Sequence, residues 1–508
     1  MAKFEELNVQ HSMRNILITF YFSLLAFDFF GQTITQKLQK TFTFFEKDSQ
    51  LKHAISSLYV IDANTGQVVF DINSQIGLAP ASTQKIITSV TAFELLGKDY
   101  RYKTELGYDG ILNKDTLDGN LYITGSGDPT FGSWRYKSTN PDSIFQMFNY
   151  SIIRKGIKWV KGSIYINERK FETQTIPNGW IWEDIGNYYG AGLGAINWRE
   201  NQYDFILKSG KKQGDSIKIK RGTLPRGIND GDEINELKTG RPGSGDNAYA
   251  YFSPRATSIY LRGTIPPNQD SFSISLSSYS PSWIFFYEFN KNRKFEVDKL
   301  NSENVTSFEF IQRRGEMNDY MVKHFGLDSL DLEFINNYDP YQKEIKNFAW
   351  HYSPTLDSII YWFNKKSINL YGEALIKTFA YEKNGFGSTD GGVVIVQKFW
   401  KEKGLDEEEL SIVDGSGLSP LNRITTHSQV EILKYAKTKD WFPYFYNSLP
   451  EYNGMSMKSG TIRGVKGFCG YHKAKNGKEY IFSFLVNNYN GSSSSLVNKM
   501  YKVLDILK

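Results

Sequence analysis

The chain of 508 residues has one cysteine, Cys469, and only six histidines. One thiol cannot build an internal disulfide framework, and so sparse a set of Cys and His leaves a structural zinc site without ligands. His472 follows at a spacing that puts it on the opposite face of a strand, so Cys469 reads as a small buried thiol. No stretch combines low hydropathy with high net charge, which argues against disorder. Hydrophobic residues at 40% and aromatics at 15% suffice for real cores. The net charge is only +5 and is spread along the chain. That argues against a nucleic-acid stripe, and the lysine-rich Lys208 to Arg221 reads as a loop and edge strand. No repeat of solenoid period is visible.

Long apolar runs are also missing. The one from Ile16 to Phe30 contains Asp28 and is short for a transmembrane helix. With Arg14 ahead of it and Gly31 behind, it resembles the core of a secretory signal. The expectation is export, with a signal over 1–31 and an uncleaved membrane anchor as the alternative. No cysteine follows for a lipoprotein anchor.

Beyond it, Thr33 to Lys52 reads as a helix. Ser57 to Phe70 reads as a hairpin around Asn64-Thr65-Gly66. Helical spacing of Ile86, Ile87, Val90 and Phe93 predicts a helix from Ser82 to Leu96, stopped by Gly97. Strands and turns follow to about Leu207, then a basic, Gly-rich strand-like stretch to Asp270. Helices are expected near Pro281, over Leu356 to Tyr381 and over Gly391 to Lys403. Arg293 to Lys346 is charged and irregular. Met455 to Asn488 reads as antiparallel strands with a turn at Asn476-Gly477, and Leu496 to Leu507 as an amphipathic helix. Strands at both ends around an inserted middle predict an α+β fold.

Three short motifs mark active-site serine enzymes that bind penicillin: S-x-x-K, S-x-N and K-[ST]-G. Each occurs three times here, so context has to choose. S-x-x-K occurs at Ser49, Ser82 and Ser209. Only Ser82 opens an apolar, buried helix, where free N–H groups and the helix dipole favour an oxyanion. Lys85, at i+3, shares its face, and burial there favours the neutral amine that can act as a base. K-[ST]-G occurs at Lys208, Lys238 and Lys458. Only Lys458-Ser459-Gly460-Thr461 lies on a strand with a hairpin partner. Lys458 offers positive charge for a carboxylate, and Gly460 lets a substrate backbone approach. S-x-N occurs at Ser138, Ser302 and Ser367. Ser367-Ile368-Asn369 lies between the other two motifs, in helical sequence, offering a hydroxyl for proton relay and an amide for the substrate peptide.

LAPASTQKIITSVTAFELLGKDYRYKTEL, GSGDPTF, GWIWEDIGNYYGAG, TLPRG, DGSGLSPLN and MKSGTIRGVKGFCGY, in that order, resemble the bacterial D-alanyl-D-alanine carboxypeptidase/endopeptidase family, the low-molecular-mass class C penicillin-binding proteins. The resemblance runs from Ser57 to the C-terminus and thins between Arg293 and Lys346. It implies a penicillin-recognising domain, an antiparallel sheet flanked by helices, built from 32–107 and 346–508. A strand-rich second domain (108–205 and 287–345) is inserted in it, and a third (206–286) is nested in the second. It implies cleavage of D-Ala-D-Ala termini and D-Ala crosslinks of peptidoglycan stem peptides in the periplasm, acylation by β-lactams, and no cofactor or metal.

The resemblance also implies roles. Ser82 attacks and Lys85 takes its proton. Ser367 and Lys458 pass a proton to the leaving group, Asn369 binds the stem amide, and Lys458 with Thr461 holds the terminal carboxylate. The N–H groups of Ser82 and Thr461 form the oxyanion hole. Family members that recognise diaminopimelate pair an aspartate, here Asp184 with Tyr189 nearby, with an arginine after DGSGLS. That position is Pro420, with Arg423 three residues on. Two other functions are weighed: a β-lactamase-like hydrolase or esterase, for which no dedicated acidic motif is seen, and a catalytically silent wall-binding scaffold.

Overall fold

The structure is a computed structural model describing residues 33–222, 233–253, 258–278, 280–298 and 344–508. The expected signal segment, the TLPRG motif, Ser302 and most of the 293–346 stretch lie outside the described residues.

The two ends of the chain build one mixed unit. Helix α1 (Ile34–Glu46) is capped at Thr33 by a reciprocal box with Gln36. It ends before the expected Lys52 because Asp48 turns back to accept Gln50 N and starts a separate 3-10 turn. Strands β1 (Ile55–Asp62) and β2 (Val68–Ile72) form the expected hairpin, with Gly66 at φ +74° in its turn. Near the other end lie β3 (Glu451–Tyr452), β4 (Met455–Ile462), β5 (Val465–Lys473) and β6 (Glu479–Asn487). All six join one antiparallel sheet in the order β2-β1-β6-β5-β4-β3.

Period-two patterning gives this sheet two buried faces. On β6, Phe482, Phe484 and Val486 face α1 and the C-terminal helix Ser493–Leu504, joining Phe42, Phe45 and Met500. Ile481 faces the other way, with Tyr59 and Tyr471, into a helical core. At the centre of that core is α2 (Lys85–Leu95), buried all round from Lys85 to Phe93. Its polar residues find partners, as burial demands: Thr88 Oγ1 donates to Gly415 O at 2.7 Å, and Trp400 Nε1 donates to Thr91 Oγ1 at 2.9 Å.

The expected helical region over Leu356 to Tyr381 is two helices, α3 (Leu356–Lys365) and α4 (Asn369–Asn384). They break at Lys366 to Ile368, where Ser367 takes a left-handed φ of +56°. The helix Thr426–Lys437 was not expected, although Thr425 caps it by accepting Ser428 N.

A second core is built around the sheet of strands Lys103–Tyr108, Leu121–Thr124, Ile164–Asn167 and Lys346–Tyr352. Helices Pro141–Arg154 and Pro281–Asn292 cover it with Phe145, Phe148, Phe285 and Phe289. The first of these lies where only strands and turns were expected, although Asn140 caps it ahead of Pro141. A third, all-strand core is centred on Tyr203, Phe205, Leu207 and Leu261.

Candidate active site

Ser82 sits in a 3-10 turn, Ala81–Gln84, that runs straight into α2. The preceding Ala81 is held at φ +47°, a left-handed conformation rare for a residue with a side chain and common at functional sites. The DGSG loop makes this possible. Gly417, at φ +80°, leaves room for Ala81 O, which would lie 2.0 Å from a Cβ at that position. Asp414, fully buried, organises the loop: it accepts Gly417 N at 2.8 Å, Ser419 N at 2.7 Å and Asn422 Nδ2 at 3.0 Å. It also accepts Trp180 Nε1 at 2.9 Å, which ties the GWIWED segment to the nucleophile turn.

Strand β4 lies directly against that turn. A Cβ on Gly460 would sit 2.5 Å from Pro80 O and 2.9 Å from Ser82 N. The expectation was that this glycine makes room for substrate. In the structure the space is filled by the nucleophile turn itself, which therefore requires a residue without a side chain here.

Lys85 Nζ has three neighbours: Ser82 Oγ at 3.0 Å, Asn369 Oδ1 at 2.6 Å and Ser416 O at 2.7 Å. Two of these can only accept. In its neutral form the amine has two N–H donors and one lone pair; with the donors on the two carbonyl oxygens, the lone pair would be left for the Ser82 hydroxyl. The electrostatics agree in direction. Lys85 is completely buried, and desolvation, helped by Lys458, pulls its pKa well below the usual lysine value against the raising influence of Asp414 and Glu373. Glu373 on α4 accepts Gly415 N at 3.0 Å, and burial raises its pKa to about 8.

The other two motifs meet the first across the cavity. Lys458 Nζ is 3.0 Å from Ser367 Oγ and donates to Ser459 O at 2.9 Å. Burial lowers the Lys458 pKa to about 7. Asn369 Nδ2 donates to Tyr189 O at 2.8 Å, so its amide spans the second region and Lys85. Thr461 Oγ1 is 2.8 Å from Lys466 Nζ. Ser82, Ser367, Asn369 and Thr461 line one cavity of about 980 Å³, along with Asp184 and Tyr189.

In the wall of this cavity, burial raises the Asp184 pKa to about 6, partly offset by its hydrogen bond to Tyr189. Pro420 lines the cavity there. Arg423 does not take the place of an arginine at that position: its Nη1 donates to Pro420 O and Asn422 O, the latter at 2.8 Å. The rejected matches stay apart from this centre. Lys208 pairs with Asp270 in the strand-rich region, and Lys238 Nζ donates to Ser216 Oγ.

Several contributors were missed from sequence: the scaffold role of Asp414, Glu373 behind Lys85, and Lys466. Arg135 and Glu200, a bidentate pair at 2.7 and 3.1 Å that also receives Tyr371 OH at 2.8 Å, line the cavity as well. The turn Arg463-Gly464 between two paired strands was a usable signal for Lys466, since it makes Thr461 and Lys466 direct cross-strand partners.

The α+β architecture is that of the penicillin-binding serine peptidases. It matches penicillin binding protein 4 (dacB) from Haemophilus influenzae with a TM-score of 0.70 at 17% identity, covering 93% of this chain and 99% of that one. The chain matches the D-Ala-D-Ala carboxypeptidase 3 (S13) family over residues 38–298 and 338–451, and it belongs to that family of serine-type carboxypeptidases. It is 24% identical over 471 residues to a D-alanyl-D-alanine carboxypeptidase of Actinomadura sp. strain R39, covering 88% of this chain and 80% of that protein. It is 22% identical over 452 residues to the D-alanyl-D-alanine carboxypeptidase DacB of Haemophilus influenzae, covering 84% of each.

Proposed function

We propose that the protein is an exported DD-peptidase that hydrolyses D-Ala-D-Ala termini and D-Ala crosslinks of peptidoglycan stem peptides through a Ser82 acyl-enzyme. The observation that carries this reading is the fully buried Lys85 with its Nζ 3.0 Å from Ser82 Oγ. Ser82 Oγ attacks the D-alanine carbonyl carbon while Lys85 takes the hydroxyl proton. The developing oxyanion is met by the N–H of Ser82 and the N–H of Thr461. The placement of Thr461 supports this. Ile462 and Val465 flank a two-residue turn and form a hydrogen-bonded pair, so alternation leaves the Thr461 N–H directed away from β5. On that side, β3 and Pro450 cover β4 only from Met455 to Met457, so the edge of β4 from Ser459 on can take an extended peptide.

Ser367, bridged to Lys458, hands the leaving D-amino acid its proton as the C–N bond breaks. Asn369 binds the stem amide. Lys458, Ser459 and Thr461 form the wall for the carboxylate end. Water, deprotonated by Lys85 or Ser367, then releases the acyl group. β-Lactams enter the same path and stop as the acyl-enzyme. Asp184 and Tyr189, which line the same cavity, are the groups that would meet the stem side chain.

The test is to label the purified protein with fluorescent penicillin beside Ser82→Ala, then offer muropeptides. A stable adduct lost in the variant, with free D-alanine released, supports the reading. Rapid penicillin turnover would assign a β-lactamase-like hydrolase instead, and no adduct with no product would leave a wall-binding scaffold.

A further inference from the structure

Lys466 is only 8% exposed, yet among the described residues no carboxylate pairs with it. Its ammonium lies 4.8 Å from the Phe468 ring centroid and 2.8 Å from Thr461 Oγ1. Burial lowers its pKa to about 8, and no neighbouring carboxylate contributes. Buried Lys377 makes the contrast, with Glu172 at 3.1 Å. A buried cation without an anion is costly to hold. It is worth holding where a ligand brings the anion.

Geometry says where that anion would sit. Thr461 and Lys466 are direct partners one step from the Arg463-Gly464 turn, with Gly464 at φ +71°. Because Ile462 and Val465 are the hydrogen-bonded pair, Thr461 and Lys466 are the closer, non-hydrogen-bonded pair, with side chains on one face. Thr461 is exposed and lines the cavity, while Lys466 lies beneath it. An ammonium can only donate, so it occupies an acceptor lone pair of Thr461 Oγ1. The single Thr461 O–H is then free to point into the cavity.

We propose that Lys466 is a positioning residue for substrate carboxylate recognition: it turns the Thr461 hydroxyl outward as a donor and supplies the positive charge that a terminal carboxylate neutralises. This rests on the reading of Thr461 as the carboxylate-binding residue. It predicts selectivity for ligands ionised at that end.

Benzylpenicillin and its uncharged methyl ester separate this role from a structural one. Lys466→Met keeps the volume of the buried stem. It is expected to slow Ser82 acylation by benzylpenicillin by about tenfold or more, the size of one lost hydrogen bond to a charged group, and to leave the methyl ester rate nearly unchanged. Lys466→Arg should restore part of the discrimination. Thr461→Val combined with Lys466→Met should lose little more than Thr461→Val alone, because the lysine acts through that hydroxyl. Equal losses with both compounds, additive losses in the double variant, or no loss with benzylpenicillin would overturn the proposal. A wild-type protein that forms no adduct with either compound would overturn the acyl-enzyme reading itself, and this inference with it.

Discussion

Gly460→Ala adds one methyl group where β4 meets the nucleophile turn. The new Cβ would lie 2.5 Å from Pro80 O, 2.8 Å from Thr83 N and 2.9 Å from Ser82 N, while ordinary van der Waals contact begins at 3.4 Å. All three neighbours are backbone atoms, so no flexible side chain can swing away. The turn and the strand must therefore separate by something approaching 1 Å. Overpacking of this kind costs about 1–3 kcal/mol of stability. A misplacement of about 1 Å between nucleophile and oxyanion donors costs on the order of 10²-fold in rate. The assay is the second-order rate of penicillin acylation, with thermal unfolding followed in parallel. Gly477→Ala, at a turn with φ +85° and no neighbour within 4 Å, is the control: it should lose some stability through its backbone but keep its acylation rate. A Gly460→Ala protein that is folded and acylates as fast as wild type would refute the packing argument.

Lys85→Ala should abolish labelling by penicillin, a loss of at least about 10²-fold, in a protein whose circular dichroism is unchanged. Retained labelling in that folded variant would remove Lys85 as the base. Lys458→Met should change how stability depends on pH. The folded Lys458 pKa lies near 7 and the unfolded one near the ordinary lysine value of 10.5, so between those values the unfolded chain binds the extra proton and wild-type stability rises with pH. The stability of Lys458→Met relative to wild type should therefore fall from pH 7 toward pH 10, read by urea unfolding; a constant difference would contradict it. Asp184→Asn should raise KM for stem peptides that carry an ionised side-chain amine, with little effect on penicillin acylation, measured by release of D-alanine.

The layout of the ends was legible in the sequence because period-two strands and a periodic buried helix leave strong patterns. Ser367 was legible as a motif but not as a place. Its flanking residues are good helix formers, and only the left-handed backbone at Ser367 splits the region into α3 and α4. The helix Pro141–Arg154 was hidden for a related reason: its aromatic and β-branched residues look strand-like until the Asn140 cap and Pro141 are weighed. The function of Gly460 was assigned to the wrong neighbour, since which backbone a glycine admits depends on the fold. Glu373 reaches Gly415 across 42 residues of chain and Trp180 reaches Asp414 across 234, and no local pattern announces such pairs.

The central claim is that Ser82 carries the acyl group. Mass spectrometry of the protein after incubation with benzylpenicillin tests it most directly. The account predicts one covalent adduct that maps by peptide digestion to Ser82 and is absent from Ser82→Ala. An adduct on another serine, or one that persists in Ser82→Ala, would contradict it.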